Sequence, residues 1–221
     1  QSTTQWRGLD RSGQYPNQQL AEKWPEKGPK LLLHVENLPQ SYSSVVVANK
    51  VIYTTGIQDE KEYLTAMDLK GTILWQTTYG NAWTKSYSPA RCTPTIEGDF
   101  AYVISGSADI ACINLSDGSL SWAVKGADKF KAKWGSWGVA ESPLIIDNML
   151  IYTPCGDQTT LVALDKATGQ TIWESPSIND QTGYTSPVYI QRGDLKLIIT
   201  VTGNYVLGIN ADKGTIQWKF N

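Results

Sequence analysis

Four segments of the chain share one pattern, and the first of them reads Asp68-Leu-Lys-Gly71-Thr-Ile-Leu-Trp75. The other copies read Asn114-Leu-Ser-Asp-Gly118-Ser-Leu-Ser-Trp122, Asp165-Lys-Ala-Thr-Gly169-Gln-Thr-Ile-Trp173 and Asn210-Ala-Asp-Lys-Gly214-Thr-Ile-Gln-Trp218. The tryptophans follow one another at intervals of 47, 51 and 45 residues, a period that suits four short strands with their turns. The sequence therefore predicts an all-β protein, a β-propeller in which each repeat is one four-stranded antiparallel blade.

Each recurring residue type of the pattern has a structural role in this prediction. The Asp or Asn side chain can bond the backbone of a tight turn, the Gly supplies a positive φ, and the Trp on the outer strand covers the neighbouring blade. We therefore interpret these positions as docking residues rather than as a ligand site. They are Asp68, Gly71, Trp75, Asn114, Gly118, Trp122, Asp165, Gly169, Trp173, Asn210, Gly214 and Trp218.

The repeats divide the chain into an N-terminal segment and four blades. Residues 1–40 are predicted to hold one orphan outer strand over 28–36, without the three strands that would precede it in a blade. The blades are predicted at about 41–80, 88–126, 140–176 and 184–221. We expect these four blades to be part of a ring of about eight, completed by further C-terminal blades or by a dimer of two half-rings. A self-contained small propeller is the alternative, since propellers have roughly 4 to 8 blades.

Composition argues against several classes of partner. The chain has 221 residues, 19 Lys+Arg against 21 Asp+Glu and a net charge of -2, so no basic stripe is available and nucleic acid is not expected as a partner. Its apolar runs are far shorter than the ~20 residues of a membrane-spanning helix. The chain starts at Gln1 without Met, which we interpret as removal of a signal peptide and export to the periplasm or the cell surface.

The metal-binding and imidazole chemistries have little support in the sequence. A single histidine, His34, excludes a two-histidine metal site. The three cysteines, Cys92, Cys112 and Cys155, form no C-x-x-C pair.

The repeat resembles the tryptophan-docking motif of the pyrroloquinoline quinone (PQQ)-like repeat family of β-propellers. The segments Trp6-Arg7-Gly8 and Gly28-Pro-Lys-Leu-Leu32 also resemble the opening of exported bacterial members. Three departures are visible: the first turn is one residue shorter, Gly208 replaces the usual Ala, and Leu33 stands where relatives often have Trp. The resemblance implies either a quinoprotein dehydrogenase, with PQQ and calcium in the central channel, or a non-catalytic propeller of the kind that scaffolds outer-membrane barrel assembly.

The sequence lacks features that the resemblance implies for the dehydrogenase kind. It has no adjacent cysteines and no carboxylate cluster that would give calcium its six to eight oxygen ligands, and Glu141 alone is well placed. We therefore predict no catalytic residues, no metal ligands and no cofactor. A dehydrogenase whose ligands for PQQ and calcium lie partly outside this chain is the alternative.

Candidate ligand-binding residues lie just before the innermost strands, because the connectors that enter these strands converge on one face of a propeller. Aligning the repeats gives four hydroxyls, Ser44, Thr93, Ser142 and Ser186. Two residues before them stand Tyr42, Arg91, Ala140 and Tyr184. Together with Glu141, the Tyr and Arg side chains predict a mouth that binds an anionic or sugar-like group. In the alternative interpretation the hydroxyls cap turns and Arg91 pairs with Glu141 or another acid.

Two long connectors, residues 80–90 and 126–139, add Trp83 and Trp137 to the candidate set. Lysines interleave with the aromatics of the second connector, which would suit a polysaccharide, a quinone or a partner peptide, although loop aromatics also plug propeller mouths. The function predicted is a binding or assembly module with a protein or glycan partner. The alternatives are a quinoprotein alcohol or sugar dehydrogenase and a carbohydrate-binding propeller.

Overall fold

The structure is a computed structural model, and it describes residues 4–15 and 21–221. In these residues sixteen strands form four sheets, each with four antiparallel strands in chain order, β1 to β4, β5 to β8, β9 to β12 and β13 to β16. The strands are β1 (Val46–Ala48), β2 (Val51–Gln58), β3 (Lys61–Asp68), β4 (Ile73–Asn81), β5 (Thr95–Glu97), β6 (Phe100–Ile104), β7 (Asp109–Asn114), β8 (Leu120–Lys125), β9 (Leu144–Ile146), β10 (Met149–Tyr152), β11 (Thr159–Asp165), β12 (Thr171–Pro176), β13 (Val188–Arg192), β14 (Leu195–Val201), β15 (Val206–Asn210) and β16 (Ile216–Phe220). The predicted propeller blades are thus present, and we number them 1 to 4.

In each blade the side-chain oxygen of the repeated Asp or Asn accepts from the backbone N–H two residues later. In blade 1 the carboxylate of Asp68 accepts from the backbone N–H groups of Lys70 and Thr72, at 2.8 and 2.9 Å. The register between the third and fourth strands then shifts beside the tryptophan, between Ala66 and Met67. The corresponding shift recurs in the other three blades. A β-bulge of this kind bends the outer strand and increases its twist.

The core lies within the blades and between their faces. Strands β7 and β11, third in their blades, are almost wholly buried, whereas the outer strands β8 and β12 alternate exposed and half-buried residues. One cluster of buried apolar side chains runs through blades 1 to 3, and a second joins blades 3 and 4.

The N-terminal segment is held at separate points on this framework. Thr4 forms an antiparallel bridge with Ile96 in β5, the innermost strand of blade 2. The predicted orphan strand is not formed, since residues 28–36 pair in no ladder. A β-carbon built on Gly71 would lie 2.6 Å from Val35 and 3.2 Å from Leu33, so this segment covers the repeated turn of blade 1.

One element was not predicted. Residues Gly126–Phe130 form a five-residue helix, α1, in the connector between blades 2 and 3. Its last residue, Phe130, is buried, with its ring centroid 6.5 Å from that of Tyr152. Within residues 4–15 and 21–221, no helix combines the length and the apolar character needed to cross a membrane.

Candidate binding site at the channel mouth

The four aligned positions before the innermost strands meet in one cleft. Tyr42, Arg91, Ala140 and Tyr184 line a cleft of about 400 Å³ together with two residues of the long connectors, Tyr87 and Trp137. We call this set the aromatic cleft. One residue from each of the four repeats thus lines a single surface.

The aromatic rings of the cleft contact one another and remain open to solvent. The ring centroids of Trp137 and Tyr184 are 5.0 Å apart, and the Tyr87 ring meets Trp137 edge-on at 6.2 Å. The exposed fractions are 65% for Tyr42, 66% for Tyr87 and 47% for Trp137. A cluster of large exposed aromatics on one face is typical of an interaction surface.

Hydrogen bonds between connectors fix the shape of the cleft. The Ser86 hydroxyl donates to the Ser136 carbonyl at 2.6 Å, which joins the two long connectors. The guanidinium of Arg91 donates to the carbonyls of Ser86, at 3.1 Å, and Tyr87. Burial lowers the pKa of Arg91, and the Glu62 charge opposes that shift. Arg91 therefore anchors its own connector.

Two of the candidate residues lie away from the cleft lining. The Trp83 ring is half-buried and meets the Trp134 ring edge-on, with centroids 6.3 Å apart. Glu141 is buried and accepts from the backbone N–H and the hydroxyl of Thr153, each at 3.2 Å. Burial raises the pKa of Glu141 to about 8. Trp83 thus packs beneath the connectors, and Glu141 points into the protein.

The four aligned Ser and Thr residues link successive blades through backbone N–H donors and hydroxyl acceptors. The backbone N–H of Ser44 donates to the Thr93 hydroxyl at 3.2 Å, and that of Thr93 donates to the Ser142 hydroxyl at 3.0 Å. The N–H of Ser142 continues the series to the Ser186 hydroxyl at 2.9 Å. These groups therefore hold the inner ends of the blades together.

The repeated tryptophans make the matching contact at the outer ends of the blades. The indole N–H of Trp75 donates to the Leu115 carbonyl at 3.2 Å, that of Trp122 to Lys166 at 3.0 Å, and that of Trp173 to Ala211 at 3.1 Å. The rings cover the glycines of the next turn: a β-carbon on Gly118, Gly169 or Gly214 would lie within 2.8 Å of the preceding blade's tryptophan.

Two lysines in or next to the second connector form ion pairs. Lys133 pairs with Asp157, and Lys125 pairs with Asp109 at 2.9 Å. The aromatic cleft itself is lined by Arg91 as its one charged side chain.

Two further buried ionisable groups were not selected by sequence reasoning. Glu62 accepts from the Tyr79 hydroxyl at 2.5 Å and from the Gly106 N–H at 2.6 Å, and burial raises its pKa to about 7. Arg11 of the N-terminal segment is 2% exposed and donates to backbone carbonyls of blades 3 and 4. Glu62 lies on the same buried face of β3 as Leu64 and Ala66, at every second position of the strand. A carboxyl group at such an apolar position is the sequence signal that could have identified it.

The residues present do not fit PQQ with calcium. The three cysteines are free, buried and distant in sequence, so they form no vicinal disulfide. In residues 4–15 and 21–221, no three His, Cys, Asp or Glu side chains are grouped so that they could hold a metal ion. Glu141, the candidate calcium ligand, is bonded to Thr153.

Comparison with known proteins agrees with the propeller. The chain aligns with a europium-containing methanol dehydrogenase at a TM-score of 0.62 and 14% identity, over 82% of this chain and 42% of that one. The quinohemoprotein alcohol dehydrogenase from Comamonas testosteroni gives 0.62 and 14%, over 84% and 35%. BamB from Moraxella catarrhalis gives 0.52 and 17%, over 80% and 48%. The chain thus spans less than half the length of each of these proteins.

At these identities the alignments show the fold alone. No curated protein matches the sequence. The model of one family, described as outer membrane protein assembly factor BamB, matches residues 60–221, which is more than half of the chain. The chain therefore belongs to this family of PQQ-like repeat β-propellers.

Proposed function

We propose that the protein is a non-catalytic propeller of the cell envelope that binds a polypeptide partner at the aromatic cleft. The observation that carries the proposal is the convergence of one residue from each repeat on that cleft. The family's description as an outer membrane assembly factor supports a partner of this class and a location in the envelope, reached by export.

The composition of the cleft suits a protein interface. Tyr, Trp and Arg are the residue types that most often dominate the binding energy of protein interfaces. Here Tyr42, Tyr87, Trp137 and Tyr184 surround Arg91. Aromatic side chains also supply contact area at a low cost in conformational entropy. Because the connectors are already bonded to each other, the cleft loses little further freedom when a partner binds.

A glycan is the second candidate, and one observation favours it. Trp137 is 47% exposed on the cleft, and an exposed indole face is a stacking platform for a sugar ring. The dehydrogenase alternative requires cofactor ligands outside this chain, since the donor set described above does not fit PQQ with calcium.

The test is a binding titration of the full chain with an unfolded outer-membrane β-barrel polypeptide, followed by tryptophan fluorescence. We expect saturable binding that weakens by roughly tenfold or more in Trp137→Ala and in Arg91→Ala. Phe220→Ala is the matched control, because Phe220 is a 71% exposed aromatic on the outer strand of blade 4, outside the cleft. Equal affinity in all three variants would overturn the proposal.

Two further titrations separate the alternatives. Saturable quenching by micromolar PQQ with calcium, lost in a cleft variant, would favour the dehydrogenase. Binding of an oligosaccharide panel that disappears in Trp137→Ala, without binding of the polypeptide, would favour the glycan.

A further inference from the structure

Arg11 is a buried arginine whose side chain joins two blades. One terminal nitrogen of its guanidinium donates to the carbonyls of Ser142 at 3.1 Å and Pro187 at 3.0 Å, and the other donates to the carbonyl of Pro143. Its Nε donates to the side-chain oxygen of Gln5 at 2.8 Å. All three guanidinium nitrogens are therefore engaged, three of the four acceptors being backbone carbonyls at the entrances of β9 and β13.

This arrangement of acceptors selects a guanidinium over other cations. A guanidinium is planar and presents five N–H donors in a fixed fork, whereas an ammonium is a compact point charge. Three carbonyls spread over both terminal nitrogens match the fork. Ser142 and Pro143 follow the cleft residue Ala140, and Pro187 follows Tyr184, so the site adjoins the aromatic cleft along both connectors.

The surroundings of Arg11 also compensate its buried positive charge. Burying an unpaired charge is costly, so a guanidinium that is 2% exposed needs compensation from its surroundings. Burial lowers the pKa of Arg11 to about 10, and the charge of Glu141 acts in the opposite direction. The guanidinium therefore remains charged at neutral pH, within a shell of carbonyl dipoles and one nearby buried carboxyl group.

The backbone at Arg11 has a left-handed conformation, with a φ of 58°. A non-glycine residue in this region is strained and persists where its surroundings hold it. The contacts of the Arg11 side chain provide that restraint.

The segment that carries Arg11 has a second polar attachment to the blades. We call residues 4–13 the strap. Thr4 exchanges two backbone hydrogen bonds with Ile96, at 2.9 and 2.8 Å. Between these two attachments Leu9 is 70% exposed. The strap thus depends on its pairing with β5 and on the guanidinium.

We infer that the carbonyls of Ser142, Pro143 and Pro187 form a guanidinium-binding site, which Arg11 fills from within the chain and which accepts an arginine side chain in trans when Arg11 is absent or withdrawn. The strap is then an internal ligand of the inner ends of blades 3 and 4. This inference is independent of what binds the aromatic cleft.

The test uses the full chain with Arg11→Ala and adds ethylguanidinium at low millimolar concentration, as a stand-in for the missing side chain. We expect the substitution to lower the Tm by roughly 5 to 10 °C, because it removes several charge-assisted hydrogen bonds. Ethylguanidinium is expected to restore most of that loss with saturation, whereas ethylammonium at the same concentration restores little.

Two further variants provide matched controls. Arg11→Lys should lose stability but show no recovery, because the lysine side chain blocks the site without supplying the fork. Arg7→Ala removes an exposed arginine of the strap, which donates to the Ser12 carbonyl, and should show no response to ethylguanidinium.

Several outcomes would overturn the inference: an Arg11→Ala variant as stable as the wild type, no recovery with ethylguanidinium, or equal recovery with ethylammonium. If Arg11→Ala does not fold at all, the refolding yield in the two cations replaces the Tm. A higher yield in ethylguanidinium alone would then support the site, and equal yields would refute it.

Discussion

Three of the four repeated tryptophans pack against a following blade, and the fourth does not. Trp75, Trp122 and Trp173 each donate to a carbonyl of the next blade and cover its glycine. Trp218 is 41% exposed and lies over Gly208 of its own blade. The same local sequence thus gives a turn held by its Asp or Asn in all four places, and this turn is one residue shorter in blade 1. The burial and the hydrogen bond of the indole therefore depend on the neighbouring blade and not on the local sequence.

The inner ends of the blades repeat this difference. Ser44, Thr93 and Ser142 donate their N–H groups to the hydroxyl of the next blade, and among the described residues Ser186 enters the series as the last acceptor. Each interface between successive blades is therefore held at two points, by a hydroxyl before the innermost strand and by an indole on the outer strand. In residues 4–15 and 21–221, blade 4 is the last of the four sheets, so Trp218 and Ser186 have no following blade there to contact.

The largest expected difference between the two kinds of tryptophan appears on truncation. Trp122→Ala should reduce the free energy of unfolding by about 3 kcal/mol, because it removes a packed ring and a hydrogen bond between blades 2 and 3. Trp218→Ala should cost less than about 1 kcal/mol, as is usual for an exposed side chain. Urea denaturation of both variants measures the difference. Equal losses would mean that the tryptophans stabilise their own blades and not the interfaces.

A buried carboxyl group makes the stability of one interface depend on pH. Glu62 of blade 1 accepts from the Gly106 N–H of blade 2. Its pKa is raised from 4.5 to about 7 in the folded protein, so the folded state binds the proton more tightly than the unfolded chain. The stabilisation is therefore fully present below pH 4.5 and is lost as the pH rises through about 7.

Glu62→Gln removes this titration. Between pH 5 and pH 8 the wild type should lose up to about 3 kcal/mol of unfolding free energy relative to the variant. Denaturant titrations of both proteins across that range give the difference, with the other carboxyl groups common to both. A difference that does not change with pH would show that Glu62 does not titrate differently on folding.

A smaller effect separates backbone strain from contact between blades. Gly169 and Gly193 both have positive φ angles, of 72° and 57°. A β-carbon on Gly169 would lie 2.8 Å from the Trp122 ring, whereas one on Gly193 would meet nothing within 4 Å. Gly193→Ala should therefore cost about 1 kcal/mol for its backbone alone. Gly169→Ala should cost about 1 kcal/mol more, and equal costs in thermal denaturation would argue against close docking at that turn.

Much of the fold could be predicted because it is repeated. The spacing from Gly to Trp and the recurring Asp or Asn specify a turn by local chemistry, and four copies at a near-constant period leave little choice of architecture. Residues 28–36 show the limit of this reasoning: their apolar pattern favours a strand, but a strand also needs a partner, and the pattern of one segment does not specify it; the segment forms no ladder.

The site was predictable where alignment of the repeats could be used. Tyr42, Arg91 and Tyr184 share one position in their blades, and the structure brings them to one cleft. Trp83 could not be separated from Trp137 by sequence, because both are loop tryptophans whose burial depends on how the two connectors pack. Arg11 lies outside the repeats, so no comparison between blades could reveal its partners.

The contacts of the strap also bear on the order in which the protein is assembled. Arg11 is separated by 131 residues from Ser142 and by 176 from Pro187. During synthesis from the N-terminus, the strap is made before blades 3 and 4, so its partners exist only when the entrances of those blades have been made. Contacts of such long range form late and slow the search for the native state. The strap is thus made well before its partners and is among the last parts of the molecule to reach its final place.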